Sequence, residues 1–599
     1  MKSPAKFLAL ATTLVGFVAS TAAEHSTFSA KILVDSTTSL CTLIKPTAET
    51  QLHRAVTSDD DVYEQKTFRQ NRVSKEELLL EEAYDAQAFI EIFATSAEAV
   101  DRRITEHCPH GASSSTTATD SKRLRSLEEE SPVIEKIVDS GDPKNRIDVV
   151  FMGDGYTSSE QTRFFDDIRR LTHDMFTGET FAQYLPLFNI WGVHVPSAES
   201  GIGVGGQPKD TAFGLYRDGT ELRGVYASNP DRARSVCSSV GQYACDFPSL
   251  IGNDDFYGGL GGEFVISTRS ETSGTVVLRH EMGHNFGRVG EEYDGGQVYS
   301  GANSAPSASA ITWKHWLTNP NVLREESAAQ LYQKHIWYDL QKGAYKISFT
   351  STGKFKRWYI LLSVSGADTD DSLSVTLDGK PLAWQTKGLK DRTFYSWTNS
   401  NSGFSAGSHE LVIQAGGSFD SPIIKQLCNA VIYEYADESQ YKLDDPNYIG
   451  IYPTFDINKR KTVRPNNEKC LMRNMTSPHF CRVCQENMWL KFMERVTFID
   501  SVTVSGSNAE VQVIPLAQKR LPTDTFVTTN PSVASNEKYA VQWLRNGQEV
   551  TSFRDQFNVD LSKAGSSYKG KWTVRVTFTT PNVRLDPKGL LKSEKTFTV

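Results

Sequence analysis

Past its first two dozen residues the sequence has no apolar run long enough to cross a bilayer, which argues against a helical membrane protein. It also lacks a basic excess. Lys+Arg number 64 against 72 Asp+Glu, a formal net charge of −8, so no global field recruits nucleic acid or an anionic membrane surface. A phosphate-binding loop is missing too. The glycine cluster Gly258-Gly259-Leu260-Gly261-Gly262-Glu263 has no following Lys-Ser/Thr, and a strand (Phe264 to Ser267) is expected where such a loop needs a helix. Hydrophobic content of 39% and charged content of 23% fit a soluble globular chain and exclude a disordered or fibrous one. The 599 residues leave room for several domains.

The one apolar run lies at the start. Lys2 and Lys6 precede an apolar core from Phe7 to Val18, then small residues to Ala23, the pattern of a secretory signal peptide cleaved near Ala22 or Ala23. The expected location is therefore extracellular. Cysteine is sparse, with eight residues at 41, 108, 237, 245, 428, 470, 481 and 484, and an oxidising compartment leads us to expect pairing. Asn474-Met475-Thr476 is an N-glycosylation acceptor.

Residues 24–130 read as an N-terminal accessory or pro-domain with a linker. Ala30 to Val34 and Thr42 to Ile44 suggest strands, and Glu76 to Val100 a helix, with Leu79, Ala83, Ala86, Phe89 and Phe93 at roughly helical spacing. The polar tract that follows carries Lys122-Arg123 and Arg125, which suit a processing enzyme or simply a solvated linker. Cys108 is expected to bridge Cys41, with use as a thiolate cap on a metal as the other reading.

Alternating α/β character begins near Val133. A strand at Ile147 to Met152, a capping box from Ser158 to Gln161, a helix with Phe164, Ile168, Leu171 and Met175 on one face, and a strand at Phe188 to Val193 follow in order. Asp154 reads as a strand-to-helix turn residue. From Lys342 to Gly416 short alternating strands and an Asp378-Gly379 turn suggest an inserted β-sandwich, and Ser501 to Val599 a second, immunoglobulin-like one that serves as a binding or spacer module. Aromatic residues of the sandwiches give core packing or carbohydrate contact.

The chemistry concentrates in TVVLRHEMGHNFGRVGEEYDGG, residues 275–296. His280-Glu281-Met282-Gly283-His284 is an H-E-x-x-H motif on an expected helix whose buried side carries Val276, Val277 and Met282 and which Gly287 or Gly290 would end. Residues four apart share a helix face, so His280 and His284 can hold one Zn²⁺ while Glu281 serves as general base. The glycines at 258–262 would let an extended substrate backbone approach this helix. No second oxyanion donor is assigned: Tyr293 is a candidate by position only, and a core or substrate-wall tyrosine is the favoured reading. A later pair, Cys481 and Cys484, admits a second zinc or a redox site. With only Cys470 nearby and secretion expected, a disulfide from Cys470 to Cys481 or Cys484 is the favoured reading.

Four stretches, IDVVFMGDGYTSSEQ, FNIWGVHVPSAESG, HEMGHNFGRVGEEYD and CLMRN…FCRVC, together resemble the IgA-specific metalloendopeptidase family of secreted, metzincin-like zinc peptidases. The resemblance covers roughly 133–330 and 430–490, and it does not imply that immunoglobulin is the substrate. It implies an α/β metzincin-like catalytic domain, and with the strand patterns above the chain reads as multidomain: that domain in two parts (131–335 and 426–500), a β-sandwich inserted at 336–425, and an immunoglobulin-like β-sandwich at 501–599. Met472 resembles the methionine of the metzincin turn beneath the metal. The metzincin third histidine is absent, because Gly290 occupies its place. The nearest donors are Glu291 and Glu292, with Asp294 behind them. The family's pattern of an acidic residue followed by Glu-Tyr favours Glu292, with Glu291 the runner-up. The expected activity is zinc-dependent endopeptidase cleavage of a protein or glycoprotein. A zinc amidase or glycopeptidase shares that chemistry, and an adhesin or carbohydrate-binding protein on a degenerate peptidase scaffold is the rival from another class.

Overall fold

A computed structural model describes residues 27–34, 41–50, 62–68, 88–94, 96–108, 112–114 and 131–599, apart from 297–298, 322–327, 420–422, 444, 457 and 566. The expected signal peptide, the Lys122-Arg123 and Arg125 sites, and Leu79, Ala83 and Ala86 lie outside these residues. Among the described residues no helix is long and apolar enough to cross a membrane.

The N-terminal part is a five-stranded sheet in the order Val62–Phe68, Ala88–Ala94, Thr27–Val34, Cys41–Thr50, Ala112–Ser114. Helix α1 (Ala97–His107) packs on it, capped by Ser96, whose side chain accepts from the Ala99 N–H. This corrects the expected helix at Glu76 to Val100 over residues 88–94, which pair antiparallel with strands on both sides, while Ala97 to Val100 open α1 and residues 76–87 lie outside the described residues. AFIEIFA also sets Ala88, Ile90, Ile92 and Ala94 at the period of two that gives a strand one apolar face. The polar tract, too, donates a short strand, Ala112–Ser114, before its undescribed remainder. Cys41 and Cys108 form a disulfide.

The central unit is a six-stranded sheet in the order Gly259–Leu260, Val265–Thr268, Phe247–Gly252, Ile147–Asp154, Phe188–His194, Val133–Val138. Its inner strands are parallel and both edges are antiparallel. Parallel strands need both faces covered, which is why Ile147–Asp154 is buried at every position. Val149, Phe151 and Ile251 point into the core beneath α2 (Gln161–Met175), while Val150, Met152 and Leu250 point to the face covered by α3 (Pro230–Ser239). The capping box sits one residue earlier than expected: Thr157 and Glu160 form it. Asp154, fully buried, accepts from Leu215 N–H (2.8 Å) and Thr211 Oγ1 (2.8 Å), so it organises a long loop besides turning the strand. Cys237 and Cys245 bridge the end of α3 to the chain entering the next strand.

Two four-stranded sheets, with strands running from Ala328 to Tyr435, share one apolar core that includes Ile347, Ile360, Leu411 and Ile432. Asp378 and Gly379 both take positive φ (51° and 73°) at a two-residue hairpin turn, as such turns require. The sandwich is wider than the expected 336–425, because Ala328–Asp339 and Gln426–Tyr435 pair with each other inside it. The chain then returns to the central unit with α5 (Arg482–Met493), which packs on α4 (Gly274–Gly287).

The last hundred residues form sheets of three and four strands. They are not a detached spacer. Trp543, Trp572 and Phe578 belong to the same continuous core as Phe286 and Trp489, and Arg146 makes a bidentate ion pair with Asp500 (2.6 and 2.9 Å).

Candidate metal centre and its cavity

Helix α4 ends where its sequence suggests, at Gly287, but Arg288 rather than a glycine takes the left-handed cap (φ 50°) and donates its N–H to His284 O (2.8 Å). Val277, Leu278, Met282 and Phe286 are buried, and Val276 is half-buried. Two glycines of the helix permit close packing instead of bending. A Cβ on Gly283 would lie 2.8 Å from Met472 Sδ, and one on Gly287 would lie 3.3 Å from Met488 of α5. Met472 is fully buried under the motif, in a turn where Arg473 and Asn474 N–H groups donate to Cys470 O.

His280 Nε2 and His284 Nε2 are 3.3 Å apart. The carboxylate that lies beside both imidazoles is that of Glu291, the runner-up, and not that of the favoured Glu292. Its carboxylate lies 3.1 Å from His280 Nε2 and 3.1 Å from His284 Nε2. Nitrogen and oxygen ligands on one tetrahedral zinc at about 2.0–2.1 Å stand about 3.3 Å from one another, so the three side chains fit a single ion. Each imidazole turns its other nitrogen to a backbone carbonyl: His284 Nδ1 to Val289 O at 2.7 Å, and His280 Nδ1 to Leu471 O at 3.4 Å. Such contacts fix the tautomer that leaves Nε2 free for a metal.

The placement of residues 291 and 292 has a local cause. After the left-handed turn at Arg288, Asn303 clamps the loop, accepting from Gly290 N–H (2.8 Å) and donating to Gly290 O (2.9 Å). Glu292 N–H then donates to Met472 O (3.0 Å), which fixes the direction of the chain and sends the Glu292 side chain into the interior among Cys470, Cys481 and Cys484. Asp294 is structural, paired with Arg473 and accepting from Phe455 N–H (2.6 Å). Asn303 had no signature in the sequence, being one polar residue in a polar loop.

Electrostatics follow this geometry. Burial pushes Glu291 upward, yet the two imidazoles outweigh it and hold its carboxyl far below the usual range. Burial lowers His284, but Glu291 overrides this and lifts it to about 9. Burial raises Glu281, opposed by His280 and His284, while the Gly261 backbone N–H also favours its ionised form. Tyr293 donates its hydroxyl to Glu291 Oε1 (3.1 Å), so it contacts the expected metal set directly.

His280, Glu281, Glu291 and Tyr293 line a cavity of about 240 Å³. One wall is the glycine edge strand, where a Cβ on Gly261 would fall 2.5 Å from Glu281 Oε2, and Asn285 Nδ2 donates to Gly262 O (2.8 Å). The facing wall belongs to the β-sandwich, including Trp337, Tyr359 and Phe394. Asn474 of the glycosylation sequon is half-buried, lines the same cavity, and accepts from Thr476 N–H (3.0 Å). Cys470, Cys481 and Cys484 are not bridged, contrary to the expected disulfide.

Two histidines one turn apart, a carboxylate across them and a further carboxylate at a cavity make the donor set of a metal-dependent hydrolase. Residues 135–330 match the family model described as IgA Peptidase M64, which supports the metallopeptidase family that the four sequence stretches resemble. That match contains the helix, Glu291 and the six-stranded sheet except for the first two residues of the edge strand Val133–Val138. No curated protein matches. Among solved structures, a CBM35 from Cellvibrio japonicus Abf62 is similar at 10% identity and a TM-score of 0.12, covering 19% of this chain and 96% of that one. An exo-beta-1,3-galactanase from Phanerochaete chrysosporium is similar at 16% identity and a TM-score of 0.11, covering 19% and 27%. A GH2 beta-galacturonidase from Eisenbergiella tayi gives 10% and 0.14, covering 43% and 42%. At such scores these likenesses carry no argument about function.

Proposed function

We propose that this chain is a secreted zinc endopeptidase of metzincin-like design, in which His280, His284 and Glu291 hold the ion and Glu281 is the general base. The convergence of those three side chains at 3.1–3.3 Å beside Glu281 carries the proposal. When bound, zinc supplies Lewis-acid polarisation of a scissile carbonyl and acidifies a water.

The rest is the work of the chain's own residues. Glu281, held against the glycine edge strand, takes the proton of the attacking water and delivers it to the departing amine. The edge strand Gly259–Leu260 borders the cavity at Gly259 and pairs within the sheet on one side only, so its other edge takes an extended peptide as an added strand. Met472, packed under Gly283, keeps the helix at a fixed height, which is the role of the metzincin turn methionine. The β-sandwich supplies the opposite wall, so it acts in substrate selection. An aromatic wall beside the metal also favours a glycosylated or aromatic side chain on a protein substrate. The reading as an adhesin on a degenerate scaffold is disfavoured because the motif and its carboxylate are intact and mutually placed.

A casein and peptide-library digest with and without chelator tests this. Cleavage that chelation abolishes and zinc restores supports the proposal. Carbohydrate binding with no chelator-sensitive hydrolysis would return the adhesin reading.

A further inference from the structure

Glu292, Cys470, Cys481 and Cys484 lie together in the interior, with exposures of 0, 0, 1 and 0%, and none of them lines the cavity. Their donor atoms all lie within 4.8 Å of one another. We propose that they form a second, structural zinc site, separate from the catalytic centre and independent of the function proposed above.

The spacing is that of a shared ion. Cys470 Sγ is 3.9 Å from Cys484 Sγ, and Cys484 Sγ is 3.7 Å from Glu292 Oε1. A tetrahedral zinc with sulfur at about 2.3 Å and oxygen at about 2.0–2.2 Å places neighbouring sulfurs about 3.8 Å apart and sulfur and oxygen about 3.5 Å apart. The cysteines at 41/108 and 237/245 are bonded, whereas these three are not. Three thiols also cannot all pair with one another. Any disulfide among them would leave a buried thiol beside a buried carboxylate.

That carboxylate is the independent pointer. Glu292 Oε1 accepts from Asn303 Nδ2 (2.9 Å), but Glu292 Oε2 has no hydrogen-bond partner although it is fully buried. Buried charge is expensive unless it is paired or coordinates a metal. Three soft thiolates and one carboxylate make a closed four-ligand set that suits zinc and leaves no open position, which marks the site as structural. Binding releases the thiol protons to solvent and involves no redox change.

The four donors come from three segments that must be fixed for the catalytic centre to exist. Cys470 opens the turn that carries Leu471, whose carbonyl faces His280, and Met472 beneath Gly283. Cys481 caps α5 and Cys484 sits in its first turn, where the helix N-terminus favours negative charge. Glu292 follows the catalytic ligand Glu291. One ion would therefore tie the floor, the ligand loop and α5 together.

The test uses the full chain purified without reductant. Metal counting on wild type and on the His280→Ala/His284→Ala double variant, with zinc K-edge absorption, reads both the number of ions and their ligands. We expect two zinc ions in wild type, and one in the variant with three sulfur neighbours at about 2.3 Å. If the variant does not fold, the wild-type spectrum decides, since it must average between one and two sulfurs per zinc. A variant without zinc, a spectrum with no sulfur shell, or a non-reduced peptide map showing a disulfide among Cys470, Cys481 and Cys484 would overturn the proposal.

Discussion

Glu291 and Glu292 are adjacent in the chain yet serve opposite sides of it. The first lies against both imidazoles, and the second is buried among three cysteines. Both contacts follow from the left-handed turn at Arg288 and the bond from Glu292 N–H to Met472 O.

This pair gives the first prediction. Glu291→Ala removes a direct donor, so zinc affinity at the histidines and peptide hydrolysis fall by more than the roughly 10–100-fold that loss of an outer contact costs. Glu292→Ala leaves the histidine-site metal in place and acts on stability. Zinc K-edge absorption with a peptide assay checks both, since the Glu291 variant loses the histidine-ligated ion and hydrolysis while the Glu292 variant loses the sulfur-ligated ion and keeps hydrolysis; the reverse ranking in hydrolysis would return the catalytic ligand to Glu292.

A second prediction concerns the floor. Gly283→Ala places a Cβ 2.8 Å from Met472 Sδ and 3.2 Å from a Phe480 ring carbon, inside a full core. Overpacking of this kind costs about 1–3 kcal/mol. Chemical denaturation should show that loss together with weaker zinc retention. Unchanged stability would mean that Met472 does not press on the helix.

How much of this was legible in the sequence differs from element to element. His280, Glu281 and His284 could be placed because a four-residue spacing is a property of any helix. The choice between Glu291 and Glu292 could not, because it depends on which residue turns left-handed and on Asn303, a contact made across the loop. At 88–94 the Phe89 and Phe93 spacing suited a helix as well as a strand, and pairing with strands on both sides decided it. The inserted strands were readable from alternation and turns. That their sheet walls the cavity was not, since packing between domains leaves no periodic trace.

A third prediction follows from a buried carboxyl far from the cavity. Asp148 is fully buried, with Trp191 Nε1 (2.7 Å) and Asn189 Nδ2 (3.0 Å) donating to Oδ1 and nothing on Oδ2. Burial, reinforced by neighbouring Asp246, raises its pKa from 3.8 to about 6 against the two hydrogen bonds. The folded state then holds a proton that the unfolded state has lost, so this group's contribution is full below pH 3.8 and declines as pH rises toward about 6. Asp148→Asn should be more stable than wild type at pH 7, with the difference shrinking as pH falls through that window. Denaturation series at several pH values check this, and a pH-independent difference would refute the linkage.

The most direct test of the catalytic account is Glu281→Gln, assayed for zinc and for peptide hydrolysis in the same preparation. The exchange keeps the shape and all metal donors while removing the proton carrier, a role worth about 10²–10⁴-fold. The account predicts wild-type zinc content with turnover reduced by that factor. Wild-type turnover in the zinc-loaded variant would contradict it.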